Sequence, residues 1–138
     1  LFFHPAIFSH LADFVKRFGN LVYGVLNSKL IFAYFKRIAS VLGDADKGGR
    51  LRWFRQDVFK LPIRTINFSD PAEVQQHARM VALVERMLSL QRELAAAQTP
   101  AEKTRLQRQV DATDAQIDAL VYALYGLTEE EVGVVEGR

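Results

Sequence analysis

Apolar positions recur at intervals of three and four through much of this chain, the repeat of a helix that buries one face. Across 71–98 the repeat is carried by Val74, Ala78, Val81, Val84, Met87, Leu88 and Leu94. Across 100–125 it is carried by Leu106, Val110, Ile117, Leu120 and Leu124, a heptad pattern with one polar lapse at Thr113. Both segments open on the same signal. Asp70-Pro71 is followed by Glu73 and Thr99-Pro100 by Glu102, joining a capping side chain and a first-turn proline to a glutamate that can reach back. Only Gln98 and Thr99 separate the two segments, and so short a connection predicts antiparallel neighbours, a hairpin roughly 35–40 Å long. Gly126 then marks a stop, and Thr128 with Glu131 starts a short helix over 128–136. Its Val132, Val134 and Val135 are expected to fold back on Leu120, Leu124 and Tyr125 as a lid.

The N-terminal half reads differently. Ile7, Leu11, Phe14, Val15 and Phe18 predict an amphipathic helix over 5–18, bounded by Pro5 and Gly19. Across 21–42 apolar residues point in nearly every direction, which predicts a buried helix, or two helices hinged at Asn27-Ser28. The charges of that segment, Lys29, Lys36 and Arg37, fall along one stripe. A polar glycine-rich loop over 43–49 leads into 50–64, where Arg50, Arg52 and Phe54 alternate with Leu51 and Trp53, the period of a strand. Pro62 places a second extended piece at an edge or in a turn. The expected fold is mainly α with a small β element. Buried helices and short strands form a lobe over 1–68, and the long antiparallel hairpin with its capping helix fills 69–138.

At 138 residues, 49% apolar and 25% charged, the chain has the composition of one folded domain. The absence of cysteine excludes disulfides and thiolate metal sites. No apolar run predicts a spanning helix, so no membrane partner is expected and a cytoplasmic location is. The chain opens on Leu1 within an apolar phrase, as a piece of a longer protein would. Charge is split between the halves. Residues 1–64 carry eleven Lys and Arg against four Asp and Glu, a balance of +7, while 65–138 carry seven against twelve, a balance of −5. A basic half beside an acidic half points to a polyanion partner for one part, or to halves that attract each other.

The basic residues concentrate around the predicted strand. Lys47, Arg50, Arg52, Arg55, Lys60 and Arg64 lie within eighteen positions together with Gln56, and Lys29, Lys36 and Arg37 add a second group. Arginine offers two parallel donors to a phosphate or to guanine, and glutamine can pair with adenine, so these ten are the candidate DNA contacts, with phosphate positioning ahead of base reading. Some could instead pair with Asp44, Asp46 and Asp57, with Trp53 and Phe54 in the core. No catalytic constellation is visible. Gly48-Gly49 reads as a turn, His4, His10 and His77 are spaced unlike metal ligands, and Asp111, Asp114 and Asp118 read as solvated carboxylates on one helix face. Tyr122 and Tyr125 are expected to bury their rings with their hydroxyls at the edge.

Two phrases carry a resemblance. LNSKL, followed three residues later by YFK, and later DALVYALYGLTEEE, in this order and spacing with RWFRQDVFKLPIR and MLSLQREL between them, resemble the TaqI-like C-terminal specificity domain of type IIG restriction-modification enzymes, which is related to type I specificity subunits. The resemblance covers Leu21 to Gly137, and HPAIFSHLADFVKRF is similar to the phrase that opens that domain. Relatives place a variable segment of many tens of residues after that phrase; here only Gly19 and Asn20 intervene. The resemblance implies a region that recognises and positions double-stranded DNA beside the methyltransferase domain of the same parent protein. The parent is implied to be an adenine-specific enzyme using S-adenosylmethionine, in some relatives fused to an endonuclease. This chain lacks an N-P-P-Y type motif and a glycine-rich cofactor loop, so it is expected to be non-catalytic and to bind no cofactor itself. The alternative is a helical docking or oligomerisation module with no DNA contact, since a heptad stripe also suits a homodimer through the hairpin.

Overall fold

The computed structural model describes residues 19–39, 41–42, 50–51 and 55–138, with positions 41, 42, 50, 51, 55 and 58 described by backbone alone. The expected helix over 5–18, the loop over 43–49 and Trp53-Phe54 lie outside the described residues. The chain is mainly helical. In order it forms α1 over 19–26, α2 (Lys29–Ile38), β1 (Val41–Leu42), β2 (Arg50–Leu51), α3 (Arg55–Val58), α4 (Pro71–Ala96), α5 (Pro100–Tyr125) and α6 (Glu129–Glu136).

The break at Asn27-Ser28 separates two helices, and local chemistry explains it. Asn27 Nδ2 donates to the Tyr23 carbonyl at 2.8 Å and Ser28 Oγ to the Val25 carbonyl at 2.6 Å, satisfying the last turn of α1. The same Ser28 oxygen accepts the Ile31 N–H as the N-cap of α2. The segment therefore departs from a single buried helix over 21–42: α2 stops at Ile38. Nor is it apolar all round. Ile31 and Phe35 are buried one turn apart, whereas Tyr23, Phe32 and Tyr34 are exposed.

Val41 pairs with Leu51 and Leu42 with Arg50 in an antiparallel ladder, and Arg55–Val58, within the stretch 50–64 expected to form short strands, is helical. Residues 62–67 belong to no helix or strand; the Ile63 N–H closes a tight turn on the Leu61 carbonyl at 2.9 Å, and side chains take up other backbone groups of the segment. The Tyr125 hydroxyl donates to the Pro62 carbonyl at 2.7 Å and accepts the Arg64 N–H at 3.0 Å, and Glu73 Oε2 accepts the Asn67 N–H at 2.7 Å.

Helices α4 and α5 pack antiparallel as the hairpin, and their lengths of 26 residues each give an arm of about 39 Å. The three N-caps differ in detail. Asp70 accepts the Ala72 N–H and Thr99 the Glu102 N–H, but only Thr128 and Glu131 form a reciprocal capping box. Glu73 turns instead toward Asn67 and the Arg64 guanidinium. Gly126 ends α5 at φ 67°, a left-handed conformation that a side chain would strain, and Leu127 N–H closes the turn on the Tyr122 carbonyl at 3.0 Å.

One apolar cluster joins Leu21, Val25, Ile31, Phe35, Leu61 and Ile66 to Met80, Leu83, Val84, Ile117, Leu120, Val121 and Leu124. A second, toward the hairpin tip, holds Leu90, Ala97, Leu106 and Val110, and Met87 packs against both. Thr113, the polar lapse, is buried and donates to the Gln109 carbonyl at 2.8 Å, so it leaves no unmet hydroxyl. α1 approaches α4 at Gly24, where an added Cβ would lie 2.6 Å from Met80 Sδ. On the hairpin, Val74 and Leu88 are the large apolar side chains found exposed among the described residues.

Of the three valines expected to fold back from the final helix, Val134 is 67% exposed while Val132 and Val135 are half-buried. α6 buries none of its residues; it packs beside α2, and the Tyr122 hydroxyl of α5 reaches its Glu136.

Candidate nucleic-acid interface

α2 places Lys36 and Arg37 in its last turn, where they complement the negative end of the helix dipole, but it also starts with Lys29 and has no acidic residue in its first turn. That defect is corrected from another helix. Asp118 of α5 is 3% exposed, and its Oδ1 accepts the Lys29 backbone N–H at 2.9 Å while Oδ2 lies 3.4 Å from Lys29 Nζ. A carboxylate thus sits on the N-terminus of α2 and anchors its first cation. The expectation that Asp111, Asp114 and Asp118 are all solvated fails at Asp118, since its flank of α5 carries Val121 and Tyr122 into the core.

Two neighbours feel this buried anion. The Asp114 carboxyl is pushed up from its ordinary value, first by burial and then by Asp118, with Asp111 adding to the rise and Lys29 opposing it. The Tyr122 phenol is pushed up to about 12 by burial, with Asp118 and Glu136 disfavouring its ionised form. Its ring is buried, and its hydroxyl donates to Glu136 Oε1 at 3.4 Å.

The outward face of α2 is basic and aromatic. Lys36 Nζ lies 5.1 Å from the centroid of the Phe32 ring, and Lys29 shares that face one turn earlier. Among the described residues, Lys36 and Arg37 have no carboxylate partner, while Tyr34 is exposed nearby in sequence. A groove of about 370 Å³ runs between this face and α6, lined by Lys29, Phe32, Lys36, Val135, Glu136 and Arg138.

The residues expected around the strand are distributed otherwise. Lys60 Nζ is 3.3 Å from Oδ1 of Asp57, which is 2% exposed, and Arg64 reaches Glu73 Oε1 at 2.7 Å and the Leu124 carbonyl. Both are thereby engaged within the chain, Arg64 as a clasp between the 62–67 segment and the end of α5. Gln56 is exposed on α3. Arg50 and Arg55 are placed by backbone only, on β2 and α3, and Lys47 and Arg52 lie outside the described residues. The structure therefore brings together Lys29, Lys36 and Arg37 on one helix and separates Lys60 and Arg64 from one another by their different acidic partners.

His77 is buried against Phe68, ring centroids 5.4 Å apart and nearly perpendicular, and His4 and His10 lie outside the described residues. Among the described residues no group of His, Asp and Glu could hold a metal ion, and no helix is long and apolar enough to cross a membrane. A cleft of about 350 Å³ between α1, α4 and α5 is lined by Tyr23, Met87, Leu88, Gln91, Val110 and Asp114 among others. It holds no nucleophile paired to a base. No protein-family model, no curated protein and no solved structure matches the chain.

Proposed function

We propose that this chain is part of the DNA-specificity region of a restriction-modification methyltransferase and holds duplex DNA by its phosphates, without catalysing a reaction itself. The observation that carries this reading is the α2 face: Lys36 and Arg37 without carboxylate partners among the described residues, next to exposed Phe32 and Tyr34. Unpaired cations on a rigid helix suit phosphate oxygens, and an exposed ring beside them adds contact to sugar or base edges. The order of phrases from Leu21 to Gly137 supports the family. In that setting the hairpin of α4 and α5 is a spacer of about 39 Å that sets the distance between the DNA-holding face and the methyltransferase domain of the parent, which would bring S-adenosylmethionine.

Base reading falls to fewer residues than the ten candidates, because Lys60 and Arg64 already have partners at 3.3 and 2.7 Å. Cations already engaged within the chain, Lys60 by Asp57, Arg64 by Glu73 and Lys29 by Asp118, are also what favours the second reading, a helical docking or oligomerisation module with no DNA contact. The two readings separate in a salt titration of duplex binding. The Lys36→Ala/Arg37→Ala variant is expected to weaken binding and to flatten the log–log salt slope by about 0.9 for each phosphate that is no longer neutralised. The Arg50→Ala/Arg52→Ala/Arg55→Ala variant tests the strand cluster the same way. Duplex binding that is absent at low salt, or unaltered in both variants, leaves the docking module.

A further inference from the structure

Helix α6 is attached in a way that differs from every longer helix of the fold. None of its eight residues is buried, so the apolar contribution that fixes α4 and α5 in place is small here. Polar contacts converge on one side chain instead. Glu136 Oε1 lies 3.9 Å from Lys29 Nζ and 3.4 Å from the Tyr122 hydroxyl, and Oε2 takes the Arg138 guanidinium at 2.7 Å. The two contacts that tie Glu136 to the rest of the fold are thus the long ones, outside the range of strong charge-assisted hydrogen bonds. Within its span α6 carries Glu129, Glu130, Glu131 and Glu136 and no Lys or Arg. It is an acidic helix lying beside a basic one, and it walls the groove that exposes Lys29, Phe32 and Lys36.

We infer that α6 is an intramolecular competitor for the α2 face, an acidic strap that occupies Lys29 and narrows the approach to Lys36 until a polyanion displaces it. The inference rests on the proposed phosphate contacts of α2. Exchange of anions keeps the step small: Glu136 leaves Lys29 as a phosphate arrives, and half-exposed pairs of this kind are weak. Lys29 does not swing loose meanwhile, because Asp118 still holds it at 3.4 Å. The Gly126–Thr128 connector supplies the pivot, since the turn closed by Leu127 on Tyr122 ends α5 independently of the capping box that begins α6. A duplex presents phosphates along its whole length, so it can engage Lys29, Lys36 and Arg37 together, which a single small anion cannot.

The test compares Glu136→Gln with Glu130→Gln in the full chain, by anisotropy of a short labelled duplex over a range of salt. Both variants remove one negative charge from α6, but of the two only Glu136 contacts Lys29. Glu136→Gln is expected to tighten binding roughly two- to fivefold, the fold-change matching an exposed pair, and Glu130→Gln by less than about twofold. Equal effects overturn the strap. Hydrogen exchange gives a second readout: added duplex should protect amides of 29–38 and speed exchange in 129–136. Protection of 29–38 with unchanged exchange in 129–136 also overturns it. Absence of duplex binding by the parent chain and both variants at low salt overturns the DNA reading and the strap together, whereas binding with equal affinities removes the strap alone.

Discussion

Replacing Asp118 by alanine should destabilise the fold by about 2 kcal/mol, although the residue lies within a helix and its hydrogen-bond partner, Lys29, is 89 positions away in sequence. A hydrogen bond from a backbone N–H to a carboxylate is worth about 1.5–3 kcal/mol when shielded, and this one is only part-buried, so the lower half applies. Loss of the anion at the N-terminus of α2 adds about 0.5 kcal/mol. The Lys29 side chain is 52% exposed, so its pair adds at most about 0.5 kcal/mol. These contributions overlap in one carboxylate, which keeps the total near 2 kcal/mol. Asp118→Asn keeps an acceptor and loses the charge, and should cost about 1 kcal/mol. For a chain of this size the alanine variant should melt roughly 6–10 °C lower. Urea unfolding with an unchanged slope would confirm that stability alone has moved, and faster exchange of the Lys29 amide would locate the loss. Asp111→Ala is the control, because Asp111 is exposed and accepts from Gln107 on its own helix. If Asp118→Ala and Asp111→Ala melt within experimental error of each other, the buried cap does not stabilise α2.

Other outcomes follow from the same geometry. The raised Asp114 carboxyl means that the folded chain binds this proton more tightly than the unfolded one, so its charged form costs stability at neutral pH and the cost disappears as pH falls through the raised value toward the ordinary 3.8. Asp114→Asn should therefore raise the melting point at neutral pH and give no advantage below that ordinary value; an equal gain at both refutes the assignment. The Tyr122 phenol, pushed up from 10.0 to about 12, ionises first in the unfolded chain, so stability should fall across that interval, and Tyr122→Phe should remove this fall in a pH series of urea midpoints. Gly24→Ala gains up to about 1 kcal/mol of helix propensity but drives a methyl to 2.6 Å from the buried Met80 sulfur, an overpacking that costs about 1–3 kcal/mol. The variant should be destabilised, and Met80→Ala in the same chain should show less than additive loss; full additivity would mean the two residues do not meet.

What could be read from the sequence was what local chemistry decides. Asp70-Pro71, Thr99-Pro100 and Thr128 each carry their capping oxygen within three residues of its donor, and all three start helices. The stop at Asn27-Ser28 is equally local, although the apolar residues around it obscured how much of α2 faces outward: Phe32 and Tyr34 fit the helix and still lie on its exposed side. Sequence pattern had no means of finding Asp118, whose partner is 89 residues away and whose neighbours Asp111 and Asp114 look like the same exposed series. Glu73 shows the same limit at short range, since a glutamate three residues after a cap has a local partner available and takes Arg64 and Asn67 instead. The candidate site was legible as a set of residue types. Its division into engaged and unengaged cations was legible only at Lys60, three residues after Asp57; Glu73 and Asp118, which hold Arg64 and Lys29, lie at separations of 9 and 89 that no spacing rule connects.

Among the described residues, Met87 is the side chain packed against both apolar clusters. A hairpin cemented at two places and joined by one methionine need not melt as a unit. Its outer end can open by exposing Leu90, Ala97, Leu106 and Val110 while the inner end stays shut, and hydrogen exchange would then show two separate opening units along one pair of helices.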